Sequence, residues 1–193
     1  MNQEDNREII YVETRLEWRQ WLEKNHRSKQ SIWLICNTQK SDLPTIPWSD
    51  LVDEALCFGW IDSTRKSIDE TRFKQLYTKR KPKGTWSKIN KEKIQRLIAT
   101  GQMTGAGLEV IEAAKQNGSW TILDAVEELI IPEDLEKAFN KYTGAKDYFL
   151  SLSKSIKKQI LYWVISAKKP ETRQKRVDEI AGLAGQHKKP RQF

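Results

Sequence analysis

The chain has 193 residues, eight of them Trp, and carries a formal net charge of +8. That length suits one ordinary domain or one domain with a helical extension. Two cysteines exclude a disulfide framework, and no Cys/His spacing resembles a zinc site. No apolar run approaches the ~20 residues of a membrane span.

The N-terminal stretch lacks the basic and apolar regions of a signal peptide, so a cytoplasmic location is expected. Ile9 to Glu13 are β-branched and aromatic and predict a short strand. Thr14 and Glu17 form a capping-box pattern for a helix ending near His26. Ser31 to Asn37 is a near-continuous apolar run, suited to a central strand buried on both faces. Cys36 and Cys57 sit in apolar runs and read as buried thiols.

Pro44 and Pro47 break a loop, and Ser49 or Asp50 is placed to cap a helix through about Phe58. Asp53 and Glu54 read as favourable charges near its start, and Gly59 as its stop. Strands are expected at 60–64 and 73–78, with a turn at 67–70. The segment 79–84 concentrates basic residues with Pro82 and Gly84 and reads as a loop. Ser87 caps a helix to about Thr100, with Ile94, Leu97 and Ile98 inward. Thr104 caps the next, with Leu108 and Ile111 inward.

From Pro132 the pattern is helical throughout. Ile156, Ile160, Trp163, Val164 and Ala167 hold a helical stripe, Pro170 opens a last helix, and the basic tail reads as frayed. The fold class expected is α+β: a small mixed sheet with helices over residues 1–122, then a helical C-terminal bundle over 130–193.

The charge is uneven. Residues 62–96 and 154–193 are strongly basic, and the stretches before and between them, 1–61 and 97–153, are acidic. Basic blocks attract phosphates or acidic partners, although many are merely solvated faces. In the first block, Arg80 and Lys83 precede Trp86, Ser87 and Asn90 at a helix start, where free N–H groups and the dipole favour an anion. Asp62, two residues after Trp60, is placed to orient Arg80 or to pin the loop by an ion pair. The expected ligand-binding set is therefore Trp60, Asp62, Arg80, Lys83, Trp86, Ser87 and Asn90. Replacement of Arg80 by Ala is expected to weaken anion binding and spare the fold. In the second block, Arg173 and Arg176 share a helix face and could grip a phosphate or pair with the acidic segment 124–136.

No catalytic triad order, phosphate-binding Gly loop or metal spacing is present, so no cofactor or metal is expected. A non-enzymatic binding module for an anionic small molecule or an acidic protein surface fits best. An enzyme using Asp62 as acid/base with Arg80 as clamp, and a nucleic-acid binder using both basic blocks, are the alternatives.

EALCFGWIDS at 54–63, RKPKxxWSKIN at 80–90, GQMTxAGL at 101–108 and EAAKxxGxW at 112–120 occur in that order. With AKxPETRxxR at 167–176, they make the chain resemble the YdeI/OmpD-associated family of bacterial proteins. Lys79 stands where that family is expected to have Pro, Gly84 where Ser is usual, and Gly105 where Pro is usual. The resemblance implies a stress or bacteriocin-protection role and no defined reaction.

Overall fold

The computed structural model describes residues 7–193 and divides them into two compact units, one ending at Trp120 and one running from Thr121 to Phe193. The first is a four-stranded mixed sheet with helices, and the second is helical.

In the first unit β1 (Ile9–Tyr11) and β2 (Ser31–Asn37) pair in parallel through α1 (Arg15–Asn25). Then come α2 (Trp48–Cys57), β3 (Trp60–Ser67), β4 (Arg72–Lys79), α3 (Lys88–Ala99) and α4 (Gly105–Gln116). The sheet order is β1-β2-β4-β3, with β4 antiparallel to both neighbours. Strand β2 is central, as its apolar run predicts. Ile32, Leu34 and Cys36 pack with Trp18, Leu22, Leu51 and Tyr77 in the core. On the opposite face Trp33 is 1 % exposed, with the Lys66 and Lys74 ammonium groups 5.4 and 4.8 Å from its ring.

Helices α1 and α3, and a helix over Lys154–Ile165 in the second unit, start on a side-chain cap, at Thr14, Ser87 and Ser153. The Thr14 hydroxyl accepts the Glu17 N–H, and the Glu17 carboxylate accepts the Glu13 N–H. Helix α2 departs from expectation. It starts at Trp48 behind Pro47, with no side-chain cap, because the Ser49 hydroxyl instead receives the Lys93 ammonium at 2.5 Å. Thr104 also fails as a side-chain cap, since its hydroxyl donates to the Cys57 carbonyl. Ile98 and Leu108, expected inward, are exposed.

Two glycines fix how α2 ends. Gly59 has φ +72°, and a Cβ there would lie 2.7 Å from Val110. A Cβ on Gly107 would lie 2.5 Å from the Cys57 carbonyl oxygen, so α4 can approach the end of α2 only at a glycine.

The strand β3 runs longer than expected and is irregular between Asp62 and Arg65. The buried Gln75 amide donates to the carbonyls of Ser63 and Thr64 there, at 3.2 and 3.3 Å. Phe73, Gln75 and Tyr77 share one face, and Gln75 is occupied by the irregularity opposite.

The second unit comprises α5 (Asp124–Glu127), α6 (Glu133–Phe139), α7 (Ala145–Ser151), α8 (Lys154–Ile165) and α9 (Pro170–Ala184). Leu135, Phe139, Phe149, Ile160, Val164, Val177 and Ile180 form its core. Arg173 holds Asp134 through two nitrogens at 2.6 and 3.0 Å. Arg176 donates to the Trp163 carbonyl and the Ser166 hydroxyl. The tail is not frayed, because Phe193 packs edge-on against Trp163 at 5.7 Å and Pro190 is buried.

Leu34 is fully buried in the core. Leu34→Ala should cost about 2–5 kcal/mol, read from denaturant unfolding. The Asp134 carboxyl is held below its ordinary range, first by the Arg173 hydrogen bond. An acid with a depressed folded-state pKa contributes stability that is full above its unfolded value of about 3.9 and is lost as pH falls through the folded value. Amide protection factors in α6 and α9, corrected for the intrinsic pH dependence of exchange, should therefore fall below pH ~4, and Asp134→Asn should remove that part of the pH dependence.

Candidate functional site

The site grows out of three neighbouring elements. Asp62 on β3 and Tyr77 on β4 are direct cross-strand partners, so their side chains rise from the same sheet face. Arg80 follows β4, its backbone N–H bonded to the Gly59 carbonyl. The Arg80 guanidinium lies 3.4 Å over the Trp86 ring and donates to the Thr85 carbonyl at 2.7 Å. Trp48, at the start of α2, donates its indole N–H to Asp62 at 3.1 Å. Lys93 on α3 is within electrostatic reach of Asp62, while its ammonium bonds to Asp53 and Ser49.

The polar accounting does not close. Arg80 Nη1 and the Tyr77 hydroxyl are buried and have no hydrogen-bond partner. Each such group costs about 1–3 kcal/mol if left unsatisfied. Both are electrostatically coupled to Asp62, yet Asp62 and Arg80 form no direct ion pair among the described residues. Burial holds the Asp62 carboxyl above its usual range, against the lowering pull of Trp48, Arg80 and Lys93. Burial also draws Arg80 down to about 10, with Asp62 opposing. Each charge is thus partly desolvated and neither is fully compensated.

The expected residues divide into two groups. Asp62, Arg80 and Trp86 come together. Trp60 is fully buried, and its indole N–H donates to the His26 carbonyl at 3.3 Å. It meets Arg80 only as a fellow lining residue of a recess of about 350 Å³ that also includes His26, Lys79 and Glu109. Ser87 is a helix cap, and it consumes the Asn90 backbone N–H at 3.3 Å. Lys83 is exposed in the loop. Arg80 itself is no loosely held loop cation. Its stacking on Trp86 makes Arg80→Ala a packing change as well as a charge change, which corrects the expectation that this replacement spares the fold.

Trp48, Tyr77 and Lys93 were missed. Trp48 carried one usable signal, an indole in the polar stretch just after Pro47. Tyr77 and Lys93 become neighbours of Asp62 only through strand register and helix packing. In the second basic block Arg173 and Arg176 are occupied by contacts within their own unit, and Lys158 pairs with Glu127 at 2.5 Å. Burial raises the thiols of Cys36 and Cys57 to about 12 and about 11, which leaves them protonated and unreactive at neutral pH. Among the described residues no group of three or more His, Cys, Asp or Glu could hold a metal ion. No helix among them is long and apolar enough to cross a membrane.

Residues 10–110 match a family described as a domain of unknown function, DUF8412. Residues 128–187 match the family described as bacteriocin-protection, YdeI or OmpD-associated. The chain belongs to the DUF8412 family, whose match spans more than half of its length, and its C-terminal segment is similar to the YdeI/OmpD-associated family. No curated protein and no solved structure matches it. The YdeI/OmpD-associated match covers the run at 167–176, whereas the Asp62 cluster lies within the DUF8412 match.

The raised carboxyl gives a stability test. An acid whose folded-state pKa is raised costs stability when ionised. That cost is absent below the unfolded value of about 3.9, grows as pH rises through the folded value and is full above it. Asp62→Asn, which keeps an acceptor for Trp48, should raise the melting temperature at pH 7. The gain should vanish below pH ~4.

Proposed function

We propose that this protein is a non-enzymatic binding module that holds an anionic group at Arg80, acts in the cytoplasm, and contributes to bacteriocin protection. One observation carries the reading. A half-buried guanidinium, its Nη1 buried and unpaired, stands near a carboxylate that does not neutralise it directly. A native structure rarely leaves such a donor unmet without a reason in function or solvation. The family match supports the protective role.

The reading narrows the sequence-based site. The helix start before Asn90 contributes little, because Ser87 already takes one of its N–H groups. The anion-attracting element is Arg80, oriented by Trp86 on its face and Thr85 at its end. An acidic protein surface would have to reach a half-buried guanidinium, so a small anion or a single protruding acidic group suits the site better.

A second reading has one observation in its favour. The raised Asp62 carboxyl is the kind of group that serves as a general acid or base. It would make the protein an enzyme on a small anionic substrate.

Arg80→Met separates charge from packing, since Met keeps much of the apolar stem over Trp86. Anion-dependent thermal stabilisation, scanned with chloride, acetate and phosphate, should be present in the parent protein and lost in Arg80→Met. In a bacterial host, the parent chain should improve survival of a bacteriocin challenge more than the variant does. Equal stabilisation of both proteins by every anion would remove Arg80 from the site.

A further inference from the structure

Resting on the anion-binding reading, the geometry points to a narrower ligand class: an oxyanion that still carries an O–H at neutral pH, placing an acceptor oxygen on Arg80 Nη1 and its own O–H on Asp62. Inorganic phosphate and hydrogen carbonate are the simplest members.

The argument begins with what each group can offer. Arg80 is a donor only, and its Nη1 lacks an acceptor. Ionised Asp62 is an acceptor only, and the single side-chain donor it receives is the Trp48 indole. The Tyr77 hydroxyl, fully buried and unpaired on the same sheet face, can donate or accept. A fully ionised oxyanion satisfies Arg80 but sets its own charge against Asp62. A protonated oxyanion satisfies both, because its O–H gives Asp62 a further donor beside the Trp48 indole and its own backbone N–H. The difference between a made hydrogen bond and a charge repulsion in a partly desolvated site is large, as acceptor-only and donor-only groups discriminate strongly when buried.

The groups facing Asp62 agree with this polarity. Tyr77 and Arg80 approach from β4 and the segment after it, Trp48 from α2, and Lys93 from α3. Lys93 is itself tied to Asp53, which Arg96 also contacts. The neighbours that act most strongly on Asp62 are donors and cations, so its lone pairs are the acceptor that the ligand meets. Arg80 Nη1 is buried, while the Arg80 side chain lines the recess that it shares with His26, Trp60 and Lys79. On the side of Asp62, Trp48 is half-exposed at 51 % and tethered to the carboxylate by one hydrogen bond.

The test compares phosphate, hydrogen carbonate and sulfate at pH 7, where sulfate has no proton to give. Binding is followed by calorimetry and by the Trp48 indole N–H resonance, assigned with Trp48→Phe. Phosphate or hydrogen carbonate should bind about tenfold or more tighter than sulfate, equivalent to one hydrogen bond gained or lost, and should shift the Trp48 resonance. The two protonated anions, run separately, show which source the site prefers. Asp62→Asn, whose amide can donate to a proton-free oxygen, should admit sulfate and erase the discrimination. Arg80→Met should lose all three. Sulfate binding as tightly as phosphate in the parent protein, or discrimination that survives Asp62→Asn, overturns the proton-reading inference and leaves anion binding at Arg80 intact. Silence of the parent protein towards all three anions overturns both.

Discussion

The first unit depends on two adjacent carboxylates buried in the middle of α2. Glu54 is clasped by Arg15 and Arg19 from α1, at 2.6 and 2.7 Å. Asp53 is clasped by Lys93 at 2.8 Å and by Arg96, both from α3. Consecutive helix positions point about 100° apart, so an Asp-Glu pair can reach towards two different helices. That fixes α2 between α1 and α3 above the sheet. Removing Glu54 would leave Arg15 and Arg19 to Asp50, Glu23 and Gln102, and removing Asp53 would leave Lys93 to Ser49 and Arg96 half-exposed to water, so the loss falls below that of a fully buried pair. The arrangement specifies a geometry more than it adds net stability, because burying the charges offsets much of their attraction.

That clasp has a consequence at the other end of α2. With the helix held, Trp48 at its first position is delivered to Asp62, and Lys93 is turned away from Asp62 towards Asp53 and Ser49. The cation that could have neutralised Asp62 is therefore already engaged. Arg80, held by Trp86 and Thr85, does not close the pair either. The cluster keeps a partly desolvated carboxylate and a partly desolvated guanidinium near each other and unjoined, whereas a direct ion pair would compensate both.

Much of the fold was legible because it rests on local signals. The apolar run at 31–37, the caps at Thr14 and Ser87, and the helical stripes of the second unit depend on neighbours within a few residues. The errors share a different cause. Asp53 and Glu54 look like ordinary first-turn acids until α1 and α3 arrive, and only then are they the centre of the unit. Ser49 looks like a cap until Lys93 takes its hydroxyl, and Thr104 until the Cys57 carbonyl takes its proton. Gly107 looks like part of a helix start until α2 is seen pressing on it. Tyr77 and Lys93 enter the site through register and packing, at distances in sequence where no pattern links them to Asp62.

The two basic blocks show why charge alone could not locate a site. Each has the same surplus of Lys and Arg. In the second unit the guanidinium of Arg173 meets Asp134, and that of Arg176 meets a carbonyl and a hydroxyl within its own unit. In the first unit Arg80 meets a carbonyl with one nitrogen and nothing with Nη1. A net charge counts these arginines equally. Hydrogen-bond accounting does not, because a guanidinium is a set of directed donors and only the unmet, buried ones retain the capacity to select a ligand. By that measure the unmet guanidinium donor lies in the first unit, at Arg80, near the Asp62 carboxylate.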